Sequence, residues 1–406
     1  MPTKETKSLA SWLKTQLGEN RFENDYAVLS HYLSLQGTPS AEFYANILRK
    51  QNFDLSSLPS KNTYQKKFSH YNPKKNPSFT FVDLFAGIGG FRLAMQANGG
   101  ECIFTSEWDE AAQKTYSDNY GEIPFGDITK PEIKAMIPER FDVLCAGFPC
   151  QPFSNIGLRK GIEDTRGTLF YHIAEILQSH PETKAVFLEN VRGLISNDGG
   201  NTLRTILQTI TKMGYACNIP QEIIDEGSLK QLKDAASKLV LNPKDFGVPQ
   251  NRPRIYIVLW KKNLNLQEFK YPNPTNEETC VGSIIEENVP DSFTISDKLW
   301  AGFKRRKERN ELKGNGFTYN IFNSKSKYTN ALIRRYYKDG HEILISQARK
   351  NPRKLTPREA ANLQGFPKTF KLPSSSSAAY QQFGNSVTVP LIEKIGKQIV
   401  NQILKG

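Results

Sequence analysis

Residues Phe79–Phe85 (FTFVDLF) run straight into Ala86-Gly87-Ile88-Gly89-Gly90, and then into Phe91–Asn98, whose apolar positions repeat with helical spacing. Strand, glycine-rich turn and helix in that order restrict the chain to an α/β fold built around a mostly parallel sheet. Gly87 and Gly89 would let a ligand approach the backbone, and the helix N-terminus offers N–H groups with no partner of their own. A tight structural turn would use the same residues, so the units that follow decide the meaning.

Glu101–Ser106 predicts a second strand, ending in Glu107-Trp108-Asp109. An acid at that strand end suits a ribose diol, and Trp108 offers a ring face for adenine. A third unit ends in Gly126-Asp127-Ile128, which places another carboxylate beside the base. No basic cluster is present for a pyrophosphate. An acid-lined pocket fits a cationic cofactor, such as the sulfonium of S-adenosylmethionine, better than a dinucleotide.

The next apolar run, Phe141–Ala146, leads into Gly147-Phe148-Pro149-Cys150-Gln151-Pro152-Phe153-Ser154. This reads as a buried strand that delivers one thiol to the sheet edge where open α/β folds place their chemistry. Asn155–Arg166, with two glycines and several Lys and Arg, is a candidate closing loop, and a helix starts near Leu169. Lys184–Leu188 is another strand, and Glu189 at its end arrives at the same edge as Cys150. A buried strand-end glutamate is either salt-bridged or an acid with a raised pKa. Asn201–Gly214 reads as a helix, Pro220–Leu239 as a charged helical insertion, and Lys244–Gln250 as a turn. Arg252 and Arg254 then precede the strand Ile255–Trp260. If they continue that strand they point to one side, as an exposed basic edge or as a clamp on a phosphate or base carbonyl.

Charge separates the rest of the chain. Net charge is +13, and Lys298–Lys354 alone holds sixteen Lys and Arg against four acids. Aromatics and glycines interleave that segment (GNGFTYNIF, RRYYKDG), which favours a nucleic-acid surface over a merely solvated face. The expected organisation is a helical extension and linker over 1–78 and a catalytic domain over 79–262. A recognition domain over 263–352 and a C-terminal segment over 353–406 complete it. Within residues 1–78, Ser8–Leu17, Asn24–Leu35 and Ser40–Lys50 have helical spacing, and 56–78 reads as linker. Near the C-terminus, Thr356 caps a helix opened by Pro357, Ser374–Ser377 is a surface loop, and the last helix spans Val389–Leu404. Five cysteines without CxxC spacing argue for reduced thiols and against a zinc site or disulfide framework. No run approaches a membrane span, and the first residues lack a signal-peptide core, so a cytoplasmic, nucleoid-associated location is expected.

A thiol, a carboxylic acid, arginines and a sulfonium pocket together suit one chemistry. A thiolate adds to C6 of a pyrimidine, an acid meets N3, and C5 becomes nucleophilic toward a methyl group. The base must leave the duplex, and a separate basic domain would read the groove.

Nine stretches carry a resemblance: DLFAGIGGF (83–91), EWD (107–109), GDI (126–128), GFPCQPFS (147–154), DTRGTLF (164–170), ENV (189–191), QNRPR (250–254), LTPREAANLQGFP (355–367) and GNSV (384–387). In this order they resemble the motifs of DNA cytosine-5 methyltransferases of the bacterial restriction–modification, Dcm-like type. The resemblance implies a Rossmann-like S-adenosylmethionine-dependent methyltransferase sheet with helices on both faces and no metal. It implies Cys150 as nucleophile, Glu189 as the acid at N3, and Arg252 and Arg254 holding the flipped cytosine and its phosphates. Phe85, Glu107, Trp108, Asp127, Ile128, Pro149, Leu169, Asn385 and Val387 would line the cofactor pocket, with GNSV packed on the first glycine turn. Gln151, Ser154, Arg159 and Lys160 in the loop, and Arg305, Arg306, Arg334, Arg335, Tyr336 and Lys338 in the basic segment, are the candidate DNA contacts. The expected partner is double-stranded DNA, bound by a monomer, beside a possible cognate endonuclease. The rivals are an RNA cytosine-5 methyltransferase of the same fold, a catalytically silent DNA-binding protein, and a nicotinamide dehydrogenase.

Overall fold

The computed structural model describes residues 8–17, 23–149, 169–275, 277–314 and 319–405. Cys150, Gln151, Ser154, Arg159, Lys160 and the candidate closing loop lie outside the described residues. So do residues 315–318 of the GNGFTY stretch.

Two compact units divide the chain. The first comprises Met1–Val240, Arg254–Pro272 and Ile392–Gly406, and the second Leu241–Pro253 and Asn273–Leu391. This division differs from boundaries at 78, 262 and 352. The N-terminal helices are part of the first unit, and most of the segment after 352 belongs to the second.

In the first unit the strands are β1 (Phe79–Leu84), β2 (Gly100–Ser106), β3 (Val143–Gly147), β4 (Ala185–Val191), β5 (Tyr215–Ala216) and β6 (Arg254–Lys261). They lie in the order β2-β1-β3-β4-β6-β5. β2, β1, β3 and β4 are mutually parallel, and β6 runs antiparallel to β4 and β5. Every residue of β2 is buried, as are all of β1 except Thr80 and all of β3 except Gly147. Consecutive strand residues face opposite sides, so such continuous burial means that both faces of the sheet are covered. That explains why β3 reads as an unbroken apolar run.

The chain leaves β1 toward β2 on one side and returns to β3 on the other. The order therefore reverses at β1, which makes its C-terminal end the switch point where open α/β sheets hold ligands.

Expected and observed elements agree closely in the first unit. Helices span Leu9–Leu17, Glu23–Leu35, Pro39–Lys50, Gly90–Ala97 and Asn201–Thr211. The expected linker is more regular than its composition suggests. Ser60 caps a helix over Lys61–Phe68, whose Tyr64 and Phe68 are buried in the main core. The charged insertion forms two helices, Gln221–Asp225 and Leu229–Ser237.

The second unit is built from short pieces. Strand Gln250–Asn251 pairs with Thr329–Asn330, and Ile321–Phe322 with Leu344–Ile345. Helices span Asp297–Leu312, Pro357–Leu363 and Ser376–Asn385, so the serine-rich stretch starts a helix instead of remaining loop. The buried Gln250 ties this unit together: its side-chain amide donates to the Leu363 carbonyl, and its oxygen accepts from the Leu332 N–H. Thr356 and Glu359 form the capping box expected of a Thr-Pro helix start. Glu359 also receives two bonds of 2.7 Å from Arg353, and both side chains are buried.

Removing one partner of a buried, bidentate ion pair leaves the other charge uncompensated. Glu359→Ala is therefore expected to destabilise the chain by about 3–5 kcal/mol. Urea unfolding checks this, and a loss under about 1 kcal/mol would show that Arg353 finds water or another acceptor.

Candidate active site

Three strand ends converge on the switch point. Phe85, immediately after β1, has a positive φ of 55°, unusual for a side chain with a Cβ. Gly87 and Gly89 follow with φ of 55° and 82°. A Cβ at Gly89 would lie 2.4 Å from the Tyr120 ring, whose hydroxyl donates to the Gly89 carbonyl at 2.7 Å. A Cβ at Gly87 would meet open space, which leaves the backbone approachable.

At the end of β2, Glu107 is buried and accepts the N–H groups of Gly87 and Asp109, both at 2.8 Å. One carboxylate thus fastens the glycine turn to the neighbouring strand end. Burial raises its pKa, while those backbone bonds oppose the rise. The next residue, Trp108, is 76% exposed, a rare state for an indole and the one a stacking surface needs. Asp127 is half-buried with Oδ1 on the Thr129 N–H, and Ile128 is buried. Pro149 is exposed and Leu169 half-buried at the first turn of the helix Leu169–Ser179. An acid over a glycine turn, an open indole and a Cβ-free approach fit an adenosine with a cationic sulfur.

The parallel register sets Gly147 of β3 opposite Glu189 of β4. Glu189 therefore stands beside the strand end from which the Pro149-Cys150 stretch departs. Arg254, the first residue of the antiparallel β6, lies with Nε 3.2 Å from Glu189 Oε1. Glu189 is half-buried, and its carboxylate is paired with Arg254. Asn190, buried on the opposite face, was missed from sequence. Its Nδ2 donates to the Phe148 carbonyl at 2.9 Å, two residues before Cys150. The ENV stretch contained it, but only strand pairing shows where its amide reaches.

Arg252 and Arg254 do not share a strand. The backbone leaves regular structure at Arg252-Pro253, and the unit boundary falls between Pro253 and Arg254. The buried Arg252 guanidinium donates to the carbonyls of Leu332, Gly384 and Ser386. It holds the GNSV segment within the second unit, where Asn385 is exposed and Val387 buried.

Among the candidate DNA contacts, Arg305, Arg306, Arg334, Arg335 and Lys338 are exposed. Tyr336 is not available: it is fully buried, donates to the Ile343 carbonyl and accepts from the Leu355 N–H. It closes a turn that presents the two preceding arginines. Asp339, His341 and Glu342 bring ligand-type atoms within 4.8 Å of one another. Asp339 lies 2.6 Å from His341 and 3.6 Å from Arg306, which steadies the basic helix.

Cys102 and Cys145 are free thiols buried in β2 and β3. Burial pushes both up, Cys102 to about 12. No helix among the described residues is long and apolar enough to cross a membrane.

A doubly covered, mostly parallel sheet carries a glycine turn and a buried acid at its switch point, with an acid–arginine pair two strands away, the architecture of α/β enzymes that place ligands at strand ends. The family model for C-5 cytosine-specific DNA methylases matches residues 79–401, and the chain belongs to that family. Type II methyltransferase M.HpaII of Haemophilus parainfluenzae is 46% identical over 358 residues, covering 83% of this chain and 94% of the relative. Type II methyltransferase M.NlaX of Neisseria lactamica is 48% identical over 325 residues, covering 79% and 96%. A crystal structure of a Spodoptera frugiperda DNMT2 mutant shares the fold, with TM-score 0.60 and 21% identity over 81% of this chain and 100% of that one. The family and fold imply S-adenosylmethionine as methyl donor.

Asn190→Ala removes the donor to the Phe148 carbonyl, two residues before Cys150. It is expected to lower single-turnover methylation on the order of 100-fold, the cost of misplacing a reacting group by about 1 Å. Unchanged single-turnover rates would show that this bond does not position the reacting groups.

Proposed function

We propose that this DNA cytosine-5 methyltransferase acts on a cytosine flipped out of a short, specific duplex site, through a covalent adduct on Cys150. The observation that carries the reading is the register: it sets Glu189, with Arg254 on its carboxylate, opposite Gly147, three residues ahead of Cys150.

The Cys150 sulfur bonds to C6, and the displaced electron pair makes C5 nucleophilic while Glu189 meets the charge that develops at N3. S-adenosylmethionine, when bound, would supply the methyl group for C5, with the neutral thioether S-adenosylhomocysteine as the leaving group. Loss of the C5 proton to a base then expels the Cys150 thiolate and restores the aromatic ring. Arg254 orients the Glu189 carboxylate from the neighbouring strand. Phe85, Glu107, Trp108, Asp127, Ile128, Pro149 and Leu169 would hold the methyl donor. The three bonds made by Arg252 favour a supporting role for it over a direct grip on the base.

The second unit supplies the DNA-facing charge through Arg305, Arg306, Arg334, Arg335 and Lys338. Restriction–modification is the physiological setting that the Type II relatives suggest, with double-stranded DNA as substrate.

Cys150→Ser is expected to abolish transfer of labelled methyl groups to duplex DNA while retaining DNA binding. Turnover like the wild type would remove Cys150 as nucleophile, and methylation of tRNA alone would favour the RNA reading. Replacing both Arg334 and Arg335 by Ala is expected to weaken binding to all duplexes alike. It should also reduce the salt slope of log K by about 2, one unit per lost phosphate contact. Filter binding at several salt concentrations checks this, and an unchanged slope would place these arginines off the phosphates.

A further inference from the structure

The family model begins at residue 79, so the helices before it need an explanation of their own. They meet the segment 119–125, and the neighbouring strand β2, through polar bonds as well as core contacts. The His70 N–H donates to the Asn119 carbonyl at 2.8 Å. The Tyr64 hydroxyl donates to the Gly121 carbonyl at 2.5 Å, and the Ile123 N–H donates to the Ser30 hydroxyl at 3.0 Å. The His31 ring packs on Phe125 with centroids 4.8 Å apart, and Tyr44 donates to the Ile103 carbonyl of β2 at 2.8 Å.

Segment 119–125 has a second side. There Phe125 pairs with the end of β2: its N–H donates to Thr105 and its carbonyl accepts from Glu107. Glu122 takes a bidentate grip from Arg92, at 2.5 and 2.6 Å, and Arg92 also donates to Tyr116 at 2.7 Å. Burial works against the Glu122 charge, but Arg92 prevails and holds it below the usual carboxylate range. Arg92 sits in the first turn of the helix that follows Gly87 and Gly89. Asp127 and Ile128 come two and three residues after Phe125. Both walls of the cofactor pocket, the glycine turn and the Asp127 arm, are thus mounted on residues 119–125.

We propose that the N-terminal helices are a brace for the cofactor pocket, with Ser30, His31, Tyr44 and Tyr64 as positioning residues that fix segment 119–125 from outside. The proposal rests on the assignment of that pocket to S-adenosylmethionine. A loosened brace lets the Asp127 arm and, through Glu122 and Arg92, the glycine-turn helix shift together, and the methyl donor then binds less tightly. The DNA-facing arginines lie in the other unit and draw nothing from these bonds.

The test uses the full chain. Ser30→Ala removes the acceptor of the Ile123 N–H, and Tyr64→Phe removes the donor to the Gly121 carbonyl while keeping the ring. Leu232→Ala, at a buried position of the helix Leu229–Ser237 outside the N-terminal module, is the control for general destabilisation. The Ser30→Ala/Tyr64→Phe double variant is expected to raise the Kd for S-adenosylmethionine, read by calorimetry, by about five-fold or more, with the duplex-DNA Kd within about two-fold. Leu232→Ala is expected to bind the methyl donor as the wild type does. Wild-type affinity in the double variant overturns the brace, as does an equal loss in Leu232→Ala. If the unaltered chain itself fails to bind S-adenosylmethionine, the pocket assignment fails, not the packing argument alone.

Discussion

A sheet covered on both faces has only its strand ends free for chemistry. β1, β2 and β3 are buried almost throughout, so no functional side chain can project from their middles without desolvation. Parallel pairing then does the gathering. It carries Phe85, Glu107, Pro149 and Glu189, far apart in sequence, to one edge, and reversed β6 brings Arg254 there from the opposite chain direction. Everything else at the site is fastening: Glu107 on the Gly87 N–H, Asn190 on the Phe148 carbonyl, Arg254 on Glu189.

Much of this edge was legible in the sequence because its signals are local. A strand, a glycine turn and a helix need no distant partner to be recognised, and the turn's conformation dictates its glycines. The capping box at Thr356 and Glu359 was half visible for the same reason, since Thr-Pro at a helix start declares itself. Glu107 and Trp108 follow the end of β2 and Glu189 lies two residues short of the end of β4, and a strand end can be counted to within a residue or two from apolar residues alone.

What stayed hidden depends on long-range hydrogen bonds. Arg252 and Arg254 look like a pair two residues apart. One is buried by three carbonyls from segments eighty or more residues later, and the other meets a carboxylate sixty-five residues earlier. Tyr336 sits among exposed basic residues in sequence, yet its ring is buried because its hydroxyl serves both Ile343 and Leu355. The compact units divide the chain elsewhere than at 78, 262 and 352 for the same reason: Gln250 secures its turn through Leu332 and Leu363, which no composition shift announces. The stretch before residue 79 looked like an appendage because its polar bonds reach partners in a segment that carries no motif.

The two thiols enclosed in β2 and β3 have a use beyond packing. Cys102 and Cys145 are shielded from solvent, and burial keeps them protonated far above neutral pH, so an alkylating reagent cannot find their thiolates while the sheet is closed. Their labelling rate becomes a clock for sheet opening, wound by the fold itself and read by mass spectrometry without any engineered probe.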